Sequence, residues 1–232
     1  MPINDMLKRT LVGVESQRSA GEGKTRSAKD KGRSTTIKKK VYQEIKECGQ
    51  RLARKGYVAA YGGNISIRKG KVLFITRHGS SLENLGPEDI VEVSISKPTG
   101  LDKIASTDTK IHKAIYNETE HLAVLHAHPP YSVVLSFFND EITPLDVEGN
   151  YLLKLIPVVE GKVGSRRLAG KISRILKDYP SVLVRGHGVF TGGKDLDSAY
   201  QIVTMVEHSS RIVYLVEHLR RWKLRFKLPK MP

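Results

Sequence analysis

Apolar and polar residues alternate along this chain in two rhythms that replace one another repeatedly. Across residues 37–55 the apolar positions fall at 41, 45, 48, 52 and 53, the spacing of an amphipathic helix, with Gly56 as its stop signal. The glycine turn Tyr61-Gly62-Gly63-Asn64 then opens onto Ile65-Ser66-Ile67, where the period drops to two. Lys69-Gly70 separates that stretch from Val72-Leu73-Phe74-Ile75, so the pattern predicts a hairpin, and a third strand follows over 90–95. Ser106-Thr107-Asp108 has the composition of a helix start, with Ile111, Ala114 and Ile115 as the buried stripe behind it. An apolar strand through Val124-Leu125 follows, and Pro129-Pro130 opens a helix over 131–138. Strands at 156–159 and 181–184 flank a helix over 165–176, and the positions 199, 202, 203, 206, 212, 213 and 216 predict a long final helix over 195–219. Strands exchanging with helices in this way make an α/β or α+β domain with a mixed sheet.

Charge changes that picture only at the ends. The formal net charge is +15, but residues 1–40 carry +7 and residues 218–232 carry +6, so the body between them is nearly neutral. Residues 1–36 are basic and, over 16–36, almost devoid of apolar side chains; such a stretch cannot bury enough surface to offset its ordering entropy and is expected to be a disordered extension. Residues 37–220 form the expected domain and 221–232 a basic tail. Aromatic residues are not interleaved through the extension as a base-stacking surface requires, so a solubilising role is expected rather than nucleic-acid binding. No apolar run approaches the roughly 20 residues that cross a bilayer. The short apolar pairs near the N-terminus do not build a secretory signal. The single cysteine, Cys48, excludes an intrachain disulfide framework and suits a reducing, cytoplasmic setting; its place in a helical apolar pattern reads as a packed thiol.

The chemistry concentrates in histidines. His126 and His128 stand two apart at the end of a strand, where side chains at that spacing share a face. His187 follows the apolar run Val182-Leu183-Val184 and lies between Gly186 and Gly188, so it too sits at a strand end. Three neutral imidazoles so placed suit zinc, with a coordination position open to water or substrate. His78, His121 and His218 lack this arrangement, and His112 and His208 read as structural helix residues. A carboxylate at a helix start, Asp108, and three small-residue loops rich in backbone donors complete a set suited to an anionic substrate held beside a metal.

In order along the chain, Gly63-Asn64-Ile65-Ser66, Ile75-Thr76-Arg77-His78-Gly79, Ser106-Thr107-Asp108 with His112, His126-Ala127-His128 and His187-Gly188 resemble the motifs of the class II aldolase/adducin family over about residues 38–217. The resemblance implies a three-layer α/β/α fold around a central mixed, largely antiparallel sheet. It implies one zinc ion per subunit on His126, His128 and His187, a homotetramer, and a small phosphorylated sugar as substrate. Carried onto this chain, Gly63, Asn64, His78, Gly79, Ser106 and Thr107 fall at substrate-phosphate positions and Asp108 at that of the acid/base. The implied reaction is reversible cleavage of a ketose 1-phosphate, such as L-fuculose 1-phosphate, to dihydroxyacetone phosphate and an aldehyde such as lactaldehyde. Other members of the family are pentulose-phosphate 4-epimerases, methylthioribulose-1-phosphate dehydratases and the non-catalytic adducin modules. The chain departs from the sugar aldolases in having Asp108 in place of Glu, His78 in place of a small hydroxyl residue, and Glu148, with Tyr151 nearby, in place of a tyrosine.

Overall fold

The computed structural model describes the backbone of residues 28–225 and the side chains of residues 36–221. Helix α1 (Ala28–Arg54) leads into the hairpin β1 (Asn64–Lys69) and β2 (Val72–Thr76), then β3 (Ile90–Ser94), α2 (Thr109–Glu118), β4 (Ala123–Ala127) and α3 (Pro130–Ser136). The chain continues through β5 (Glu141–Ile142), α4 (Val147–Leu153), β6 (Ile156–Val159), α5 (Arg166–Ile175), β7 (Ser181–Val184), β8 (Gly188–Gly193) and α6 (Leu196–Arg225). The eight strands form one sheet in the order β3-β2-β1-β4-β8-β7-β6-β5. Only the β6–β7 pair is parallel, so the expected mixed, mainly antiparallel sheet is the one observed.

Alternation along the strands divides the interior into two cores. Ile65, Ile67, Ala123, Leu125, Leu183 and Val189 face Val41, Ile45, Leu52, Val203 and Val206 of α1 and α6. Leu73, Ile75, Val124, Val182, Val184 and Phe190 face Ile111, Ile115, Leu168 and Ile172 of α2 and α5. A sheet buried on both faces between helical layers is the three-layer α/β/α arrangement. Residues 124, 126 and 190 thus lie on the α2–α5 side, and this parity carries His126 toward α2.

Helix boundaries differ from the pattern at both ends of the domain. Helix α1 begins at Ala28 rather than at residue 37, inside the segment expected to be disordered; residues 1–27 of that segment lie outside the described residues. The helix is packed against the sheet through Val41 and Ile45, and a helix once nucleated propagates at one hydrogen bond per added residue. Likewise α6 runs on to Arg225, five residues into the expected tail, and 226–232 lie outside the described residues. Three elements escaped the pattern: β5, α4 and β8. β8 reads Gly-Val-Phe-Thr-Gly-Gly, whose flanking glycines signal a turn, yet every residue of it is buried in the middle of the sheet.

Candidate active site

Long-range pairing builds the site at one end of the central strands. Asn64, the first residue of β1, pairs with His126 near the end of β4, so the glycine turn preceding Asn64 lies beside the histidines. Gly63 takes a left-handed φ of 79°, and a Cβ there would meet the His126 carbonyl oxygen at 2.8 Å, so the turn tolerates only glycine. On the far side, His187 occupies the turn joining β7 to β8 and its N–H donates to Val184 O at 2.9 Å. The loop after β2 is tied to the start of α2 by a β-bridge between Arg77 and Ala105 and by the His78 N–H, which donates to Ile104 O at 3.0 Å. These constraints bring residues 77–79 against residues 106–108 despite the intervening strand β3.

The result is a cleft of about 270 Å³ lined by Gly63, Asn64, His78, Gly79, Ser106, Thr107, Asp108, His126, His128 and His187, together with four residues to which the sequence assigned no role. Those four are Tyr61, Gly62, Arg77 and Val163. Arg77 adds an exposed cation beside His78; it belongs to the Ile75–Gly79 motif but was given no role there. The residues expected at the metal, substrate and acid/base positions are therefore brought to one cleft. Glu148 and Tyr151 are not: both lie on α4, and Tyr151 is 81% exposed.

At the floor of the cleft the three imidazoles converge. His126 Nε2 lies 2.9 Å from His128 Nε2 and 3.3 Å from His187 Nε2. Two nitrogens each about 2.0–2.1 Å from a tetrahedral zinc stand roughly 3.3 Å apart, so the spacing fits one ion. The tautomer fits as well. His126 Nδ1–H donates to Val189 O at 3.0 Å, which leaves the Nε2 lone pair facing the other two rings. Phe190 stacks beneath the same ring at 4.0 Å and 9°, holding its plane. Burial, reinforced by the neighbouring imidazoles, keeps His126 well below the usual histidine pKa; burial brings His128 to about 4 and also lowers His187. All three are neutral, ligand-competent bases at pH 7. Among the described residues this is the one group of three or more histidine, cysteine or acidic side chains that could hold a metal.

Asp108 stands at the N-terminus of α2 but makes no side-chain capping bond. Its carboxylate instead turns inward, 3% exposed, with Oδ2 accepting from Asn64 Nδ2 at 2.8 Å and lying 3.8 Å from His126 Nε2. Ser106 organises the turn in its place, its Oγ accepting from the Asp108 N–H and its carbonyl from Thr109 N. Burial raises the Asp108 pKa, opposed by the Asn64 hydrogen bond and the field of His187. Oδ1 is buried without a partner among the described residues.

Of the other histidines, His112 is fully buried behind Asn64, whereas His208 and His218 are exposed on α6. His121 is half-buried and hydrogen-bonds the Leu176 carbonyl with Nε2. None of these four lines the cleft.

Known proteins are similar to this chain in sequence and fold. Residues 43–214 match the family model of the class II aldolase and adducin N-terminal domain. An L-fuculose phosphate aldolase of Methanocaldococcus jannaschii is 34% identical over 175 residues, covering 75% of this chain and 94% of its own. A methylthioribulose-1-phosphate dehydratase of Methylococcus capsulatus is 32% identical over 182 residues, 71% of this chain and 88% of that protein. The crystal structure of L-fuculose-1-phosphate aldolase from Thermus thermophilus superposes with a TM-score of 0.74 at 32% identity, over 82% of this chain and 98% of that one. By this match and these likenesses, the chain belongs to the class II aldolase and adducin family.

Proposed function

We propose that the protein is a zinc-dependent aldolase that reversibly cleaves a ketose 1-phosphate, of the L-fuculose 1-phosphate kind, to dihydroxyacetone phosphate and an aldehyde. The observation that carries this reading is the convergence of three neutral imidazoles beside a buried, uncapped carboxylate in one cleft. His126, His128 and His187 would hold the ion, which when bound supplies Lewis-acid polarisation of the substrate's carbonyl oxygen. Asp108 moves the proton at the carbon next to that carbonyl: Oδ2 is engaged by Asn64, and Oδ1 is the free acceptor. Its raised pKa keeps it basic enough to take a proton that a fully solvated aspartate would hold poorly. Loops 63–64, 78–79 and 106–107 present backbone donors and the His78 ring to the substrate phosphate. Arg77, at the same mouth, adds positive charge. Binding energy from the phosphate orients the reacting carbon.

Offering candidate ketose phosphates to the zinc-loaded protein and following triose phosphate release tests the reading. Failure of every ketose phosphate to yield a triose, with epimer or dehydration product formed instead, would overturn it. The dehydratase is the second reading, favoured by a relative of that name at 32% identity. A non-catalytic, adducin-like module is disfavoured by the complete imidazole cluster, which a scaffold has no need to keep. A homotetramer in the cytoplasm belongs to the same proposal. Self-association is supported by the large apolar side chains exposed on the α3–α4 side, Phe138 at 82% and Val147 at 80%. Light scattering at micromolar concentration checks it, and a monomer would refute it.

A further inference from the structure

Behind the cleft, on the α2 side of the sheet, an uninterrupted line of buried side chains ends on Asp108. Tyr116 OH lies 2.8 Å from Ser66 Oγ, and Ser66 Oγ lies 2.6 Å from His112 Nδ1. His112 Nε2 lies 2.6 Å from Asn64 Oδ1, and Asn64 Nδ2 lies 2.8 Å from Asp108 Oδ2. All five residues are at least nine-tenths buried, and Tyr116, Ser66 and His112 do not line the cleft. Asp108 and His112 are four apart, one turn on the same face of α2.

The proton positions along this line follow from one end. An ionised carboxylate only accepts, so Asn64 must offer it Nδ2–H, which turns the amide oxygen Oδ1 toward His112. That oxygen needs a donor, so His112 carries its proton on Nε2. Burial drives the His112 pKa down to about 3, so the ring is neutral and Nδ1 is bare. Ser66 Oγ–H then donates to Nδ1, and Tyr116 OH, which also reaches Ser66 O at 3.0 Å, closes the line. Each group has one orientation that satisfies its neighbours. Reversing the amide would set the Asn64 carbonyl against the Asp108 carboxylate.

We propose that His112 is a positioning residue of the reaction: locked in its Nε2–H tautomer by Ser66 and Tyr116, it holds the Asn64 amide, and through it the Asp108 carboxylate, in the orientation that leaves Oδ1 free for the substrate proton. The inference rests on Asp108 being the acid/base.

Long-range proton–nitrogen spectra of the zinc-loaded chain are expected to show His112 protonated on Nε2 alone. With the ketose phosphate that the protein cleaves, His112→Leu is expected to lower kcat between about 10- and 100-fold with KM and zinc content little changed. His112→Gln, whose amide offers an N–H to Asn64 and a carbonyl to Ser66, is expected to recover most of the rate. Ser66→Ala, which removes the donor to Nδ1 and leaves the ring held from the Asn64 side alone, is expected to lower kcat in the same direction by a smaller factor. A wild-type ring protonated on Nδ1, or His112→Leu at the wild-type kcat, would overturn the proposal. Should His112→Leu fail to fold, the wild-type tautomer and Ser66→Ala decide. Asp108→Asn separates the two readings. Full activity in that variant removes the acid/base reading itself, whereas an inactive Asp108→Asn beside a fully active His112→Leu removes only the relay.

Discussion

Adding one methyl group at Gly188 is expected to damage the proposed metal site without altering any of its three histidines. Gly188 opens β8, and a Cβ built there would stand 2.3 Å from Ala127 O, 2.6 Å from His128 Cδ2 and 3.0 Å from His126 Cε1. The nearest atom is backbone of the neighbouring strand, so no side-chain rotation relieves it. Restoring ordinary contact from 2.3 Å requires β8 and the end of β4 to part by about 1 Å. Overpacking of this kind costs about 1–3 kcal/mol, and the central position of the strand pair places it in the upper half of that range. For a domain of this size that is a fall of roughly 4–12 °C in Tm. The same displacement moves two of the three imidazoles, and a misplacement near 1 Å lowers a rate about 100-fold. Thermal unfolding of the apo form, zinc stoichiometry after dialysis and single-substrate kinetics on Gly188→Ala measure the three effects. A variant with unchanged Tm that binds one zinc per chain as tightly as wild type would refute the packing argument.

Four further outcomes are expected. His128→Ala leaves two imidazoles and should abolish stoichiometric zinc, read by metal analysis of the purified protein, and chelation of the wild type should remove activity that added zinc restores. Asp108→Asn should keep its zinc but lose about 10²- to 10⁴-fold in turnover, the usual contribution of a positioned acid/base; retention of rate would exclude Asp108 from proton transfer. Acid should destabilise the fold through His112. Its pKa is about 3 when folded against 6.5 for a solvated histidine, so its contribution is intact above pH 6.5 and is lost as pH falls toward 3. By pH 4.5 that loss is about 3 kcal/mol from this ring alone, and urea unfolding of the apo protein at pH 7.5 and 4.5 should show at least that difference. Glu207 is 5% exposed and accepts from the N–H groups of Tyr131 and Ser132 at the start of α3, so Glu207→Ala should cost about 2–4 kcal/mol by orphaning both donors; a loss under about half a kcal/mol would show that other groups satisfy them.

Much of this architecture was legible in the residue pattern. Helices and strands whose one face meets a core announce themselves by period, which is why β1 to β4, α2, α5 and α6 fall within a few residues of their expected places. β8 was hidden because glycine at its ends permits the close approach of β4 and the histidines, and a residue chosen for closeness carries no apolar signature. Helix α4 was hidden because most of its side chains are not buried, so nothing enforces a stripe.

For the site, the sequence by itself supplied the donor types and their order: His126, His128 and His187 at strand ends, Asp108 at a helix start, small residues in three loops. It could not say that Asn64 stands opposite His126, that Asp108 forgoes its cap to face the imidazoles, or that His112 links Asn64 to Ser66. Those relations depend on the register of β1 against β4 and on the depth at which α2 packs on the sheet. Local periodicity reports only whether a side chain faces inward. Which inward-facing groups meet is fixed by pairing between strands and helices far apart in the chain, and the tertiary structure alone decides it.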